Sequence, residues 1–313
     1  MINLVLIIQL IFGIVQFFVG IMANGIIILV SSLECIKQKR AIAYDFLLTS
    51  LGIFRIFLQG LIISCHMIFF FTLELYVSHE AFLVFFFINE VNLWLATNLC
   101  VFYCVKIANI VNPFFLWLKR RISRLMPWLI LGSLLFSIAI SIAYNLLYWS
   151  GAKEELRKFL IGNISSQAFF QYLFPIPLLI VGLATPLYMF NAASFLLIYS
   201  LCRHIRQMRS RATGFRDPRT EAHIRAMKLV FSFLILYTSY YFVILISFSS
   251  ISIKKDILML FCFPVAGLYP SGHSVILILG NSKLKHYTKK FLLSAKYCLR
   301  RGSALDLHKP NKA

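Results

Sequence analysis

Charged residues are scarce in this sequence, and acidic ones are the rarest. Only 13% of the 313 residues are charged and Asp and Glu number 11, whereas 60% are hydrophobic and the mean hydropathy is +0.83. A soluble domain of this length cannot bury so much apolar surface in one core. A nucleic-acid-binding domain would be far more polar, so nucleic acid is not an expected partner. The composition therefore favours a membrane protein.

Patterns typical of catalysis or metal binding are also missing. The sequence has no Gly-x-Ser-x-Gly elbow, no His-Glu-x-x-His pair and no Gly-rich phosphate loop. Its seven cysteines lack the spacing of zinc ligands, and none falls in a segment expected outside the cell. We therefore expect no enzymatic activity, no metal, no cofactor and no structural disulfide.

Long apolar stretches dominate what is present. A membrane-spanning helix needs roughly 20 mostly apolar residues. Seven stretches meet this requirement: 3–33, 46–73, 81–111, 126–150, 172–202, 229–251 and 257–281. The sequence predicts an all-α membrane protein in which a seven-transmembrane helix bundle forms a single domain, followed by a tail over 282–313.

The distribution of basic residues predicts the orientation of this bundle. Most of the 31 Lys and Arg residues lie after spans one, three and five and in the tail. By the positive-inside rule these segments are cytoplasmic, which makes the N-terminus extracellular and the C-terminus cytoplasmic. The only N-glycosylation sequon begins at Asn163, after span four. Asn163 is therefore a candidate glycosylation site on the external side.

Arg55 lies near the middle of span two. A charge at this depth costs roughly 2.5–3.5 kcal/mol, so it requires a structural or functional reason. We expect a structural lock that also holds the resting state, although a purely structural arginine or an ion-path charge fits the pattern too. Asn24 in span one and His273 and Ser274 in span seven are the candidate partners in this conformational switch.

Span three carries polar and aromatic residues at regular spacing in its outer half. Glu90, Trp94 and Asn98 recur at four-residue steps and so follow one face of a helix. They fit an external ligand pocket with an aromatic wall and a few polar groups, where Glu90 is a counter-charge for cationic ligands. The alternative is an interfacial Glu, a core Trp and an interhelical Asn. Spans six and seven add the aromatic residues Tyr240, Tyr241 and Phe263 on their way to or at the external half.

The tail predicts a short amphipathic helix after span seven. Its apolar residues recur at spacings of three and four, and most of its lysines fall on other faces. Such a helix lies on the anionic inner leaflet, which makes membrane lipids an expected partner. Cys298 is a candidate palmitoylation site at its end.

Short motifs in the predicted spans form an ordered set along nearly the whole chain. They include Leu47-Leu48-Thr49 with Arg55, Trp94-Leu95-Ala96-Thr97, Phe102-Tyr103, Lys106-Ile107-Ala108-Asn109, Leu197-Ile198-Tyr199-Ser200-Leu201 and His273-Ser274. In this set the chain resembles the type 2 (bitter) taste receptors. It departs from their usual pattern at Gly52-Ile53-Phe54 and at Asn112-Pro113.

The resemblance implies a G-protein-coupled receptor in the plasma membrane that binds bitter small molecules and activates a gustducin-type heterotrimeric G protein. It also implies that Trp94 and Asn98 line the ligand pocket, with Tyr240 or Tyr241 and Phe263 as neighbours. Candidate G-protein contacts at the cytoplasmic ends of spans three, five and six are Tyr103, Lys106, Ser200, Leu201, His204 and Lys228.

Two other functions remain open at this point. A seven-span transporter or ion pathway would use Glu90, Arg55 and Lys106 as its charged groups. A chemosensory receptor for a non-bitter cue, such as a pheromone, would share the signalling but recognise other chemistry.

Overall fold

The computed structural model describes residues 4–37, 43–72, 79–108, 110, 112–161, 175–209, 218–248 and 263–306. These residues form helices and no strands. The eight helices are α1 (Leu4–Lys37), α2 (Ala43–Thr72), α3 (His79–Ile107), α4 (Pro113–Ile161), α5 (Pro175–Arg209), α6 (Pro218–Phe248), α7 (Phe263–Gly280) and α8 (Ser282–Asp306).

The first seven helices pack into one bundle, which confirms the predicted fold class. Helix α3 lies at its centre against α2, α4 and α5, while α1, α2 and α7 pack against one another at one side. In its most apolar stretch α3 is 72% buried, against 33% for α4. The central position hides the polar residues of α3 from lipid, where they would lack hydrogen-bond partners.

Length and composition agree with a multi-pass membrane protein. Within the described residues, α1 to α5 are each long and apolar enough to cross a membrane, and α6 contains the shorter apolar segment Met227–Val243. Helix α7 has 18 residues and includes Pro270. It is about 27 Å long, close to the thickness of the hydrocarbon layer.

Helix α4 is much longer than the span predicted at 126–150. It begins at Pro113 and has 49 residues, so it extends about 74 Å and projects beyond a bilayer. The side-chain oxygen of Asn112 accepts a hydrogen bond from the backbone N–H of Phe114 at 2.9 Å, and Pro113 occupies the first helical position. An Asn cap followed by Pro is a strong helix start, which explains the early beginning.

The predicted tail helix is present as α8. Asn281 separates it from α7 and caps it, because its side-chain oxygen accepts from the backbone N–H of Lys283 at 3.0 Å. Leu284 is buried against the bundle, whereas Phe291, Leu292 and Leu293 are exposed. Exposed apolar residues beside exposed lysines give α8 the amphipathic character expected of a helix at a membrane surface.

The basic end of the bundle is the end at which α1, α3 and α5 finish and at which α2, α4, α6 and α8 begin. The exposed basic side chains at this end include Lys106, Arg120, Arg121, Arg124, Arg203, Arg206, Lys228, Lys283 and Lys285. The other end is called the far end.

Candidate functional site

Arg55 is fully buried and joins three helices. Its Nη1 donates to Ser274 Oγ at 3.0 Å, and its Nη2 donates to His273 Nδ1. Ser274 Oγ in turn donates to Asn24 Oδ1 at 2.6 Å. The structure thus brings together all four predicted switch residues, from α1, α2 and α7. They are called the Arg55 node.

The node holds its charge with neutral groups. No carboxylate among the described residues pairs with Arg55, and its Nε has no hydrogen-bond partner there. Because a guanidinium only donates, His273 must accept through Nδ1 as a neutral ring. The guanidinium carbon also lies 5.9 Å from the ring centroid of Tyr269. The charge is therefore stabilised by two hydrogen bonds and an aromatic face.

A second polar site lies between α3 and α6, nearer the far end. Glu90 is fully buried, and neither carboxyl oxygen has a hydrogen-bond partner among the described residues. Tyr237, Tyr240 and Tyr241 of α6 are buried in the same cluster as Phe86 and Leu93, which flank Glu90 on α3. Beside it, Asn89 Oδ1 accepts from the Tyr240 hydroxyl at 2.5 Å.

This α3–α6 site, made of Asn89, Glu90, Tyr240 and Tyr241, has unused hydrogen-bonding capacity. Besides the Glu90 oxygens, Asn89 Nδ2 lacks a partner within the described part of the chain. Buried polar groups are almost always paired with protein, water or a ligand. An apolar, aromatic surrounding with a few open polar groups is typical of a small-molecule site.

Aromatic contacts connect the two sites. Tyr240 stacks on Tyr269 with ring centroids 4.3 Å apart, and Tyr269 contacts the ring of His273 at 5.9 Å. His273 belongs to the Arg55 node. A continuous chain of side-chain contacts therefore runs from the α3–α6 site to Arg55.

The structure does not keep the predicted α3 stripe on one surface. Trp94 packs edge-on against Phe136 of α4 at 5.1 Å, and Asn98 donates to Ser133 of α4 at 2.8 Å. Glu90 instead faces α6. Residues four positions apart do not lie exactly above one another on a helix, so each step rotates the side chain a little around the axis. This rotation turns Glu90 away from the face that Trp94 and Asn98 share. The side chain of Phe263 and the sequon at Asn163 lie outside the described residues.

The predicted G-protein contacts differ in their exposure. Lys106 and Lys228 are exposed and His204 is half-buried, whereas Ser200 and Leu201 are buried. Tyr103 is only partly exposed.

Tyr103 takes part in a contact between helices. Its hydroxyl lies 2.7 Å from that of Tyr44 in α2, and Asn281 Nδ2 donates to Tyr44 at 3.1 Å. This group of three residues, the Tyr44 latch, ties α2, α3 and the α7–α8 junction together at the basic end.

Sequence reasoning missed several of these residues. Asn89 adjoins Glu90 and could have been found as part of the same polar run in an apolar helix. Asn281, next to Ser282 at a helix start, has the signature of a cap. Tyr44 and Tyr269 carry no such signal, because nothing in their sequence neighbourhood distinguishes them from the rest of the 14 tyrosines.

Comparison with known proteins identifies the family. The model of the taste receptor protein (TAS2R) family matches residues 1–296. The chain belongs to this family. Taste receptor type 2 member 1 of Chlorocebus aethiops is 43% identical over 295 residues, which cover 94% of this chain and 98% of that protein.

More distant relatives match over similar lengths. Taste receptor type 2 member 119 of Rattus norvegicus is 40% identical over 284 residues, covering 91% of this chain and 84% of that protein. Taste receptor type 2 member 40 of Gallus gallus is 36% identical over 298 residues, covering 93% and 96%.

Family membership confirms the predicted receptor function. The chain is a multi-pass G-protein-coupled receptor of the bitter taste class that responds to small molecules, and not an enzyme.

Proposed function

We propose that this taste receptor acts in the plasma membrane, binds bitter small molecules at the α3–α6 site and activates a gustducin-type heterotrimeric G protein. The observation that carries the proposal is the set of buried polar groups around Glu90 that have no partner among the described residues, namely both Glu90 carboxyl oxygens and Asn89 Nδ2, beside the Tyr240 hydroxyl that donates to Asn89. In this site Glu90 is the counter-charge for cationic agonists, and Tyr240 and Tyr241 supply aromatic surface.

Trp94 and Asn98 extend the proposed pocket toward α4. The indole Nε1 of Trp94 has no partner among the described residues, so it is available to donate to a ligand. The Asn98 amide nitrogen already donates to Ser133, so a ligand would have to compete for it. Phe263 remains a proposed neighbour at the start of α7.

The mechanism we propose is a population shift. An agonist changes the equilibrium only if it binds the signalling arrangement better than the resting one. A ligand that moves Tyr240 also changes its stacking on Tyr269, and through His273 it changes the hydrogen bonds of Arg55. The Arg55 node is the two-state element in this account, and its four residues act as the conformational switch.

The proposed G-protein surface lies at the basic end, which is the cytosolic end in our orientation. Lys106 and Lys228 already face outward. Ser200, Leu201 and the half-buried His204 become accessible when α5 and α6 separate from α3, and Tyr103 when the Tyr44 latch opens. In this orientation the N-terminus is extracellular, Asn163 is open to glycosylation and α8 rests on the lipids of the inner leaflet.

Calcium imaging tests the proposal most directly. Cells that carry the receptor and a gustducin-like chimeric G protein are screened with bitter compounds, and dose–response curves are repeated for Glu90→Gln, Trp94→Leu and Asn98→Ala. Ser64→Ala is the matched control, because Ser64 is exposed toward lipid and bonds only to its own helix. We expect shifted curves at unchanged surface level for the pocket variants alone.

The same experiment separates the alternatives. Curves that stay unchanged in all three variants would contradict the proposed pocket. Ligand-dependent current without any G protein would favour the ion-pathway alternative. A response to non-bitter cues alone would favour the other chemosensory class.

A further inference from the structure

Five side chains of α4 form a basic and aromatic stripe near the basic end. Phe114, Trp117, Arg121, Arg124 and Trp128 follow one another at steps of three and four residues, so they share one helix face. All five are exposed, with 69% of Phe114, 45% of Trp117 and 71% of Trp128 accessible.

This face points away from the bundle. The residues that α4 buries in this region, Ile122, Met126 and Ile130, lie on its opposite side. Beyond Trp128 the outward face continues as Leu131 and Leu135, which are both exposed and apolar. The stripe is therefore continuous with a surface that faces hydrocarbon, and the two arginines face the membrane rather than the helices.

The aromatic residues place the arginines at headgroup depth. Trp128 lies four residues beyond Arg124, about 6 Å along the axis, and Trp117 lies four residues before Arg121. Exposed tryptophans concentrate at the boundary between hydrocarbon and headgroups. Trp128 continues into the apolar face at Leu131 and marks this boundary, so Arg124 and Arg121, about 6 and 10 Å nearer the basic end, lie at the level of the lipid phosphates.

The guanidinium groups at this level have no acidic partner in the described part of the chain, and that of Arg121 packs on an aromatic ring. The guanidinium carbon of Arg121 lies 5.3 Å from the ring centroid of Trp117, which orients the group against the aromatic face. Neither Arg121 nor Arg124 has an acidic partner among the described residues. Their donors therefore remain available, and a planar guanidinium matches phosphate oxygens in a two-point geometry.

We propose that Arg121 and Arg124 bind the phosphate of an anionic glycerophospholipid, with an acyl chain lying along Trp128 and Leu131. The outward direction of the stripe favours lipid over the G protein, which we expect at α3, α5 and α6. The inference rests on the proposed function only in one respect: the orientation proposed there makes the leaflet at the basic end the cytosolic one.

Quenching of tryptophan fluorescence by brominated lipids tests the site. The full-length receptor with Trp94 and Trp149 replaced by Phe is placed in nanodiscs containing brominated phosphatidylserine or brominated phosphatidylcholine. A single arginine at the membrane surface strengthens anionic lipid binding by a factor of about five. We expect at least this preference for phosphatidylserine in quenching of Trp128, which lies along the acyl chain, and its loss in Arg121→Gln/Arg124→Gln; Trp117, on the headgroup side of the arginines, should stay unquenched in both lipids.

Matched controls test whether the preference for phosphatidylserine comes from Arg121 and Arg124. Arg203→Gln/Arg206→Gln on α5 removes the same charge at the same end and should keep the preference. Soluble glycerophosphoserine should not displace the lipid, because it lacks the acyl chains. Thermal unfolding in phosphatidylcholine nanodiscs should be unchanged in both double variants, since all four arginines are exposed.

Three results would overturn the proposal. Equal quenching by the two lipids would show that the site does not select anionic headgroups. Full displacement by glycerophosphoserine would identify a soluble anion as the ligand. Weaker G-protein binding by Arg121→Gln/Arg124→Gln in nanodiscs without anionic lipid would assign the stripe to the protein partner.

Discussion

The Arg55 node and the α3–α6 site are both polar and buried in one bundle, but they differ in how their hydrogen bonds are met. In the node, the terminal nitrogens of Arg55 both have partners, and Ser274 bridges Arg55 to Asn24. In the α3–α6 site, both oxygens of Glu90 lack a partner among the described residues. The protein itself supplies the partners of the node and leaves only Arg55 Nε unpaired among the described residues, whereas it leaves the whole carboxyl group of the α3–α6 site unpaired. In this sense the node is closed and the α3–α6 site is open.

This difference indicates that the Arg55 node stabilises the fold, whereas the α3–α6 site is available to bind a ligand. Removing one member of a closed buried network leaves the remaining polar groups without partners, which costs more than the bond itself was worth. Replacing Glu90 in the open site removes no hydrogen bond among the described residues. Substitutions in the node should therefore affect folding first, and substitutions in the α3–α6 site should affect ligand response first.

Of the substitutions that test this comparison, Arg55→Ala should have the largest effect. The variant leaves His273 and Ser274 without their buried donor and opens a cavity between α1, α2 and α7. Breaking such a network costs about 3–5 kcal/mol, a large part of the stability of a domain. We expect loss of surface expression or signalling, measured by surface labelling and calcium response. A receptor that is normal in both measurements would refute the structural role of the node.

Two glycines of α1 test the close packing that supports the node. A Cβ at Gly20 would lie 1.6 Å from Nε2 of Gln59, one turn from Arg55, whereas a Cβ at Gly25 would meet nothing within 4 Å. We expect Gly20→Ala to destabilise the receptor by about 1–3 kcal/mol and Gly25→Ala to be neutral or slightly stabilising. The readout is thermal unfolding in detergent.

A second substitution sharpens the glycine test. Gly20→Ala combined with Gln59→Ala removes the clash and should recover part of the loss. Equal unfolding temperatures for the two single glycine variants would show that α1 and α2 are not packed as described.

Tyr240→Phe should have a moderate effect on the open site. It removes the hydroxyl that donates to Asn89 at 2.5 Å but keeps the ring that stacks on Tyr269. One hydrogen bond is worth about 0.5–1.5 kcal/mol, so agonist potency should shift by roughly two- to tenfold at normal surface level. Tyr188→Phe, at an exposed position on α5, is the control in the calcium assay. A loss of surface expression instead would place Tyr240 among the residues required for folding.

Tyr44→Phe should change signalling without agonist rather than the response to agonist. The variant breaks the Tyr44 latch, where the hydroxyl lies 2.7 Å from Tyr103 and accepts from Asn281 at 3.1 Å. Because these bonds hold the basic end closed, we expect signalling without agonist to rise by roughly two- to tenfold. Tyr199→Phe, exposed on α5, should leave this basal signal unchanged. A fall in basal signal would mean that the contact belongs to the active arrangement.

The sequence predicted the helical membrane fold and the candidate members of the node because both follow from strong local signals. A long apolar run indicates a helix across the membrane, and a charge within it requires polar neighbours at the same depth. Asn24, His273 and Ser274 were among the few polar residues at that depth, so the choice was narrow.

The geometry of the pocket could not be predicted in the same way. Glu90, Trp94 and Asn98 share an approximate helix face, but whether a residue faces α4 or α6 depends on how α3 is rotated in the bundle. That rotation is determined by side-chain packing with several helices, and a single sequence does not reveal it. The partners of Tyr44 and Tyr269 depend on the same packing.

The response and stability of Glu90→Gln test the central claim most directly. Glutamine has the size of glutamate without its charge, and no hydrogen bond within the described protein is lost. We predict an unfolding temperature equal to or above that of the unmodified receptor, with potency of cationic agonists reduced by about tenfold or more and that of neutral agonists nearly unchanged. A receptor that unfolds earlier while its response to cationic agonists is unaltered would contradict the distinction between the closed node and the open site.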